Sequence, residues 1–203
     1  ALIGVGVLLV VVNNDLAVRS MQDLVAYGRA NPGKLNFASG SASSRVAGEM
    51  FKAMAGVDMV NVTYRSNPLG ITDVIAGVAQ VMFVDATTSM PQAREGRVRA
   101  IGVTSRQRVA MMPDVATVEE QGFPGYEMLS WNAMYAPAGT PPDIIARVNG
   151  LVNEIMARPA VRERLTASGM VLRPGSPDDL ARFQAAEIEK WKRLVREAGI
   201  ELQ

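Results

Sequence analysis

The sequence contains no cysteine and no histidine. Disulfide bonds, thiolate nucleophiles and imidazole general bases are therefore excluded, together with the usual zinc and copper sites. A Ser-His-Asp triad cannot form. A catalytic site would have to use carboxylates, lysine, tyrosine or serine alone, so we expect no enzymatic activity, no metal site and no cofactor.

Neither sign of charge is in excess. The chain has 21 basic and 20 acidic residues, for a formal net charge of +1. Such a balance provides no basic surface for nucleic acid, so no nucleic-acid partner is expected. Hydrophobic residues make up 48% of the 203 positions, as in ordinary globular proteins, and this length suits one large domain or two small lobes.

Long hydrophobic runs are also missing, apart from the first twelve residues. A membrane helix needs about 20 apolar residues, and the run from Ala1 to Val12 stops at Asn13. It has neither the basic start nor the cleavage site of a signal peptide. It therefore predicts a buried β-strand or strand pair in a protein that is not membrane-embedded. A chain that opens inside a core strand also suggests truncation.

Strand and helix patterns alternate about four times between Leu35 and Ser105. This alternation predicts a parallel sheet with helices on both faces. The last third is mainly helical, with a final helix from Pro177 to about Ala198. A preceding long helix carries an apolar row that we predict to be buried, formed by Ile144, Ile145, Val148, Leu151, Val152 and Ile155.

Ligands of open parallel sheets bind beyond the carboxyl ends of the strands. Here these ends are rich in hydroxyl groups, and most lead into helix N-termini, where free N–H groups and the helix dipole favour a carboxylate or phosphate. The Gly-containing turns match neither a P-loop nor a dinucleotide fingerprint. The segments are Ser39–Ser44, Tyr64–Asn67, Asp85–Ser89 and Thr104–Ser105.

Several candidates in these segments have a structural alternative. The serines of the first segment could contact a ligand, although serine is also an ordinary helix cap. Arg45 and Arg65 could face an anion or solvent, and Asp85 could organise its turn or accept from a ligand. Trp131 could line a cleft or pack in the core. The predicted ligand-binding residues are Ser39, Gly40, Ser41, Ser43, Ser44, Arg45, Tyr64, Arg65, Asp85, Ala86, Thr87, Thr104 and Trp131.

A series of collinear motifs along the whole chain resembles the Bug family, the TctC-like extracytoplasmic solute receptors of tripartite tricarboxylate transporters. The motifs are Asn-Pro-Gly-Lys-Leu-Asn-Phe-Ala-Ser-Gly at 31–40, Ser-Ser-Arg-Val-Ala-Gly-Glu-Met-Phe-Lys at 43–52, Val-Thr-Tyr-Arg-Ser at 62–66, Val-Met-Phe-Val-Asp at 81–85, Val-Thr-Ser at 103–105, Met-Pro-Asp-Val-Ala-Thr-Val at 112–118, Gly-Phe-Pro-Gly-Tyr-Glu at 122–127 and Ala-Pro-Ala-Gly-Thr-Pro-Pro at 136–142.

The resemblance implies a type II periplasmic-binding-protein fold, in which two α/β lobes with doubly wound sheets, joined by crossing strands, close over a ligand. It places the second lobe at residues 9–128, and assigns residues 1–8 and 129–203 to the crossing strands and helical part of an incomplete first lobe. It implies a periplasmic receptor for a small organic acid: a di- or tricarboxylate, an acidic amino acid or an aromatic acid. Its partners would be the membrane subunits of the transporter.

The chain departs from the family pattern in three respects. Family members usually begin with a signal peptide and a long stretch, carrying the first strand and a Gly-rich loop, which we expect to be absent here. Ser41 stands where relatives often have asparagine, and Asn61 and Thr63 stand where histidine and proline are common. Two alternatives to a working receptor are the ligand-sensing effector domain of a transcription regulator and a truncated, non-binding remnant.

Overall fold

The computed structural model describes residues 1–197, with the side chain of Glu197 left out, so the predicted helix end at Ala198 lies outside the described residues. The chain divides into two compact units. Unit 1 comprises Ala1–Gly6 and Ser130–Arg193, and unit 2 comprises Val7–Leu129 with the end of the last helix from Leu194. The elements are β1 (Leu2–Asn13), α1 (Met21–Ala30), β2 (Asn36–Ser39), α2 (Ala42–Ala55), β3 (Val60–Thr63), α3 (Asn67–Ile75), β4 (Val81–Asp85), α4 (Ala86–Arg94), β5 (Val98–Val103), β6 (Leu129–Ala133), α5 (Pro142–Ala157), α6 (Pro159–Ala167), β7 (Met170–Leu172) and α7 (Pro177–Glu197).

The sheet of unit 2 has the strand order β3-β2-β4-β1-β5. The pairs β2–β3 and β2–β4 are parallel, as the alternation of strands and helices predicts. Strand β1, which precedes the alternating segment, lies antiparallel to both β4 and β5, so the strands of that segment share one direction and the whole sheet is mixed. Residues Leu8 to Val12 of β1 are almost completely buried, which suits a strand covered on both faces at the centre of a sheet.

Both faces of this sheet are packed. On one face, Leu9 and Val11 of β1 join a cluster with Met82, Val74 and Met90 under α3 and α4. Alternate residues of a strand point to opposite faces. On the other face, Phe83 of β4 lies 5.6 Å from the ring of Phe51 in α2, and Phe51 lies 6.4 Å from the buried Tyr126. The sheet is therefore a rigid base for the loops at its edges.

Unit 1 is smaller and leaves apolar surface uncovered. The first half of β1 pairs antiparallel with β7, with Gly4 opposite Leu172. The predicted burial of the whole apolar row of α5 is wrong. Ile144, Val148, Leu151 and Ile155 are 41–49% exposed. The 3.6-residue periodicity correctly specifies an amphipathic helix, but the described elements of unit 1 do not cover this face.

Candidate functional site

The carboxyl ends of three neighbouring strands form one edge of unit 2. Because β3, β2 and β4 are adjacent and parallel, their ends lie side by side. Each strand passes within a few residues into a helix, α2 after β2, α3 after β3 and α4 after β4. We call the residues at these junctions the strand-end cluster: Ser39–Arg45, Tyr64–Asn67 and Asp85–Thr88.

Ser41 organises the first junction. As the N-cap of α2, it accepts a hydrogen bond from the backbone N–H of Ser44 at 3.2 Å. The hydroxyl groups of Ser41 and Ser43 are 3.2 Å apart. The side-chain amide of Asn67 at the second junction donates to Ser41 Oγ at 3.4 Å. The serine-rich turn thus has the capping role predicted as its structural alternative, and it also contacts the neighbouring loop.

Asp85 organises the third junction. Its Oδ2 accepts from the backbone N–H of Thr88 at 3.0 Å, from the Thr88 hydroxyl at 2.7 Å and from the Thr87 hydroxyl. Its Oδ1 accepts from the amide of Asn67 at 2.5 Å. Burial alone would raise the pKa of Asp85, but the bonds from Thr87, Thr88 and Asn67 outweigh it, and the pKa is lowered. The carboxylate is therefore ionised and held by the protein itself.

Gly40 allows the first two junctions to approach each other. A Cβ atom at Gly40 would lie 2.2 Å from the carbonyl carbon of Ser66 and 2.3 Å from the backbone nitrogen of Asn67. Real Cβ atoms do not approach backbone atoms so closely, so glycine is required for this contact. This agrees with the predicted role of Gly40 in close backbone approach, but the partner seen here is the adjacent loop.

The electrostatic character of the edge follows from the three helix N-termini. Helices α2, α3 and α4 carry no acidic residue in their first turns, nor does α6 in unit 1, whereas α1, α5 and α7 carry aspartate there. Among the described residues, Ser66 makes no side-chain capping bond to α3. Among the N-cap and first-turn residues of these three described helices, Asp85 is the one carboxylate that offsets the partial positive charge of the N-termini. The edge is suited to a further negatively charged group.

Two buried polar atoms in the first turn of α2 have no hydrogen-bond partner among the described residues. They are the hydroxyl oxygen of Ser44, whose residue is completely buried, and Nε of Arg45. Buried polar groups are normally satisfied by protein, water or a ligand. Both residues were predicted as ligand contacts, and their unsatisfied atoms are compatible with that prediction.

The remaining predicted residues of the cluster differ in exposure and in whether their side chains form hydrogen bonds within the protein. The Tyr64 hydroxyl donates to Asp73 Oδ2 in α3 at 2.7 Å. The Ser39 hydroxyl donates to Asn61 Oδ1 at 2.7 Å. Arg65 and Thr87 are exposed, and Ala86 is buried at the start of α4. Tyr64 and Ser39 thus use their hydroxyl groups within the protein, while Arg65 stays open to solvent.

Thr104 lies outside the strand-end cluster. Leu8 lies in β1, between the neighbouring strands β4 and β5. It is paired with Asp85 of β4, and on the β5 side it donates a hydrogen bond to Thr104. Two strand spacings, or about 10 Å, therefore separate Asp85 from Thr104. Thr104 is completely buried, and its hydroxyl group contacts the backbone of Leu8 and Met128. Its role as a ligand contact stays a prediction.

Trp131 belongs to unit 1. Its ring meets that of Phe183 edge-on, with centroids 5.9 Å apart, so it packs against a neighbouring aromatic side chain in its own unit. Unit 1 also contains a cavity of about 300 Å³, lined mainly by apolar residues of α5, α7 and the segment after β6. None of the predicted ligand-binding residues lines it, and it has no charged side chain to hold an anion.

Sequence reasoning missed Asn67 and Thr88 as individual site residues. Asn67 connects the first and third junctions, and Thr88 gives two hydrogen bonds to Asp85. Their positions just after β3 and β4 were the available signal, since both lie in segments selected by the strand-end rule. What could not be read from the sequence was which side chains of these segments face each other.

No helix within residues 1–197 combines the length and the apolar character needed to cross a membrane. Over the same described residues, acidic side chains do not gather in groups of three or more that could hold a metal ion.

Curated relatives match most of this chain. A protein from the tcbD-tcbE intergenic region of Pseudomonas sp. (strain P51) is 36% identical over 190 residues, and Protein BugT of Bordetella pertussis is 31% identical over 198 residues. These matches cover 92% and 97% of this chain. The chain spans 56% and 61% of the length of these two relatives, so it corresponds to part of each.

Solved structures share the fold. R. palustris Rpa4515 with adipate superposes with a TM-score of 0.94 at 30% identity, over 98% of this chain and 67% of that chain. The periplasmic binding protein BugD gives 0.94 at 26% identity, over 100% and 69%. MatC from Rhodopseudomonas palustris with bound malate gives 0.89 at 26% identity, over 96% and 68%. They confirm the predicted α/β periplasmic-binding-protein fold.

The sequence model of one family, described as the tripartite tricarboxylate transporter family receptor (TctC), matches residues 2–200. This match includes the strand-end cluster and all the described helices and strands. Together with the relatives, it confirms the resemblance inferred from the sequence motifs. The chain belongs to the TctC family of tripartite tricarboxylate transporter receptors.

Proposed function

We propose that this protein is a non-catalytic receptor that captures a small carboxylate at the strand-end cluster. The observation that carries the proposal is the meeting of three helix N-termini whose first turns lack acidic residues, at one edge of one sheet. Backbone N–H groups and hydroxyl groups at such an edge can replace the water around a carboxylate. Each charge-assisted hydrogen bond would contribute about 1.5–3 kcal/mol.

The ligands of two similar proteins support this chemical class. Rpa4515 is described with adipate and MatC with malate, and both ligands are dicarboxylates. We infer that a dicarboxylate, or another small organic acid, is the ligand here. Asp85 does not oppose an anion strongly, because its charge is already neutralised in part by four donated hydrogen bonds.

The family supports a transport role. We propose that the receptor acts in the periplasm and delivers its ligand to the membrane subunits of a tripartite tricarboxylate transporter. The family description and the likeness to the periplasmic binding protein BugD support this assignment. Ligand-driven closure of a two-lobed receptor would be the change that such subunits recognise.

Calorimetric titration with adipate and with malate tests the proposal, using the complete product of the gene. At least one acid should bind, and its uncharged diamide should not, because the site is expected to select negative charge. If neither acid nor any member of a wider panel of organic acids binds, the proposal is wrong.

The introduction of a negative charge tests where the anion binds. Ser43→Asp places a carboxylate in the first turn of α2, where it should stabilise the helix by about 0.3–1 kcal/mol but abolish anion binding. Ala160→Asp makes the same change in the first turn of α6, in unit 1, and should leave binding unchanged. Equal affinity in both variants would exclude the strand-end cluster as the anion site.

A further inference from the structure

The chain passes between the two units at Gly6–Val7, at Leu129–Ser130 and within α7 at Arg193–Leu194. The first two passages lie in strands β1 and β6, and β6 pairs with β1. Any change in the relative orientation of the units must bend the chain at or near these points. Residues that hold the two strands therefore influence where bending occurs.

The polar groups of Thr104 form hydrogen bonds with residues next to these two passages. Its backbone N–H donates to the carbonyl of Leu8 at 3.0 Å, and its carbonyl accepts from the N–H of Met128 at 3.0 Å. Its Oγ1 accepts from the N–H of Leu8 at 3.0 Å and donates to the carbonyl of Met128 at 2.5 Å. One completely buried residue of unit 2 thus binds both Leu8 in β1 and Met128, the residue that precedes β6.

A second link lies on the unit 1 side. The Ser130 hydroxyl donates to the carbonyl of Gly6 at 3.3 Å. In the first segment, Val7 is the single residue between the bonded positions Gly6 and Leu8. In the second segment, Leu129 is the single residue between the bonded positions Met128 and Ser130. The bonds from Thr104 are buried, so water does not compete for them and they hold the unit 2 end of each short segment firmly, whereas the Ser130–Gly6 bond is partly buried.

We propose that Thr104 is a positioning residue for ligand capture, which fixes Leu8 and Met128 to unit 2 and confines the bending at the first two passages to Val7 and Leu129. The inference rests on the proposed receptor function, because it concerns the motion that accompanies capture. Without the hydroxyl group, bending would spread into unit 2, and the binding-competent orientation would make up a smaller fraction of the molecules. Apparent affinity falls in proportion to that fraction.

The absence of cysteine makes this motion measurable. Glu95→Cys in unit 2 and Arg162→Cys in unit 1 give two exposed thiols for spin labels. We expect Thr104→Val to widen the distribution of label-to-label distances without ligand. In the same variant, the dissociation rate of bound adipate should rise about tenfold, the factor expected for loss of one or two buried hydrogen bonds.

Two variants serve as controls. Thr117 is also buried, and its hydroxyl accepts from the N–H of Glu120, a residue in the same loop, at 2.9 Å. Thr117→Val should lower stability without widening the distance distribution, so it separates a change in bending from general destabilisation. Thr104→Ser keeps the hydroxyl group and should match the unsubstituted protein in both measurements.

An unchanged distance distribution in Thr104→Val would overturn the inference, and so would equal widening in Thr117→Val. Widening in Thr104→Val alone supports it even if adipate and malate fail to bind, in which case only the proposed ligand class fails. Amide hydrogen exchange tests the same inference in the unsubstituted protein, so its result does not depend on whether a variant folds. The amides of Leu8 and Met128 should exchange as slowly as that of Val10, and fast exchange at both overturns the inference.

Discussion

The side-chain amide of Asn67 donates to Asp85 Oδ1 at 2.5 Å and so joins the first residue of α3 to the N-cap of α4. Because the same amide nitrogen also donates to Ser41 Oγ, one group links the junctions after β2, β3 and β4. The three helix N-termini are therefore held together by the protein itself. Such preorganisation lowers the entropy cost of binding a ligand.

Replacement of Asp85 should change the pH dependence of stability. The folded-state pKa of Asp85 lies below its ordinary value of 3.8, so its contribution is complete above pH 3.8 and is lost as pH falls through the folded-state pKa. Asp85→Asn should cost about 1–2 kcal/mol at neutral pH, because donated hydrogen bonds lose their acceptor. Urea unfolding at several pH values should give stability curves that converge in acid.

An exposed carboxylate provides the control for this measurement. Asp58 lies after α2 in the same unit and is exposed, so Asp58→Asn should change stability at neutral pH by less than about 0.5 kcal/mol. Curves for Asp85→Asn that stay parallel at all pH values would contradict the proposed stabilisation of the carboxylate.

Alanine at position 40 should force the strand-end cluster apart. Its Cβ would lie within 2.4 Å of backbone atoms of Ser66 and Asn67, which have no freedom to rotate away. We expect Gly40→Ala to cost about 1–3 kcal/mol by overpacking and to weaken carboxylate binding. Gly150→Ala, where a Cβ meets nothing within 4 Å in helix α5, should be neutral or slightly stabilising. Equal thermal stability of the two variants would contradict the close approach.

The raised pKa of Tyr64 predicts a loss of folding stability in alkaline solution. Burial, the hydrogen bond to Asp73 and the charge of Asp73 raise the pKa of Tyr64 from 10.0 to about 12. Its contribution to stability is therefore complete below pH 10 and is lost as pH rises through about 12. Tyr64→Phe should remove the corresponding phenolate signal from an ultraviolet titration and flatten the stability curve in this window. If Tyr64→Phe instead removes a phenolate signal near pH 10, the pKa of Tyr64 is not raised.

The exposed face of α5 predicts an unequal effect of two similar substitutions in unit 1. Leu151 is 49% exposed and Met156 is 4% exposed. In a chain of these 203 residues, Leu151→Gln should change stability by less than about 0.5 kcal/mol. Met156→Gln should cost about 2–5 kcal/mol, because it removes buried apolar contacts. Comparable losses in denaturant unfolding would mean that α5 is covered in solution.

Much of the local structure was predictable, because it depends on neighbouring residues in the chain. Ser20 and Ser41 cap α1 and α2, and Gly56 ends α2 in the left-handed conformation. The strand-end rule also selected the junctions that meet in unit 2. The choice of Arg45 or Ser44 as ligand contacts stays a prediction, since their surroundings depend on packing between distant segments.

By itself, the sequence determined the order of helices and strands, the absence of thiol and imidazole chemistry, and the hydroxyl-rich strand ends. Tertiary structure alone decided that β1 is inserted antiparallel between β4 and β5, that Thr104 binds Leu8 and Met128, and that the apolar row of α5 is exposed. The physical reason is that periodicity and capping act over a few residues. Strand pairing and burial instead join residues that are far apart in the chain, such as Gly4 and Leu172, and many alternative pairings satisfy the same local pattern.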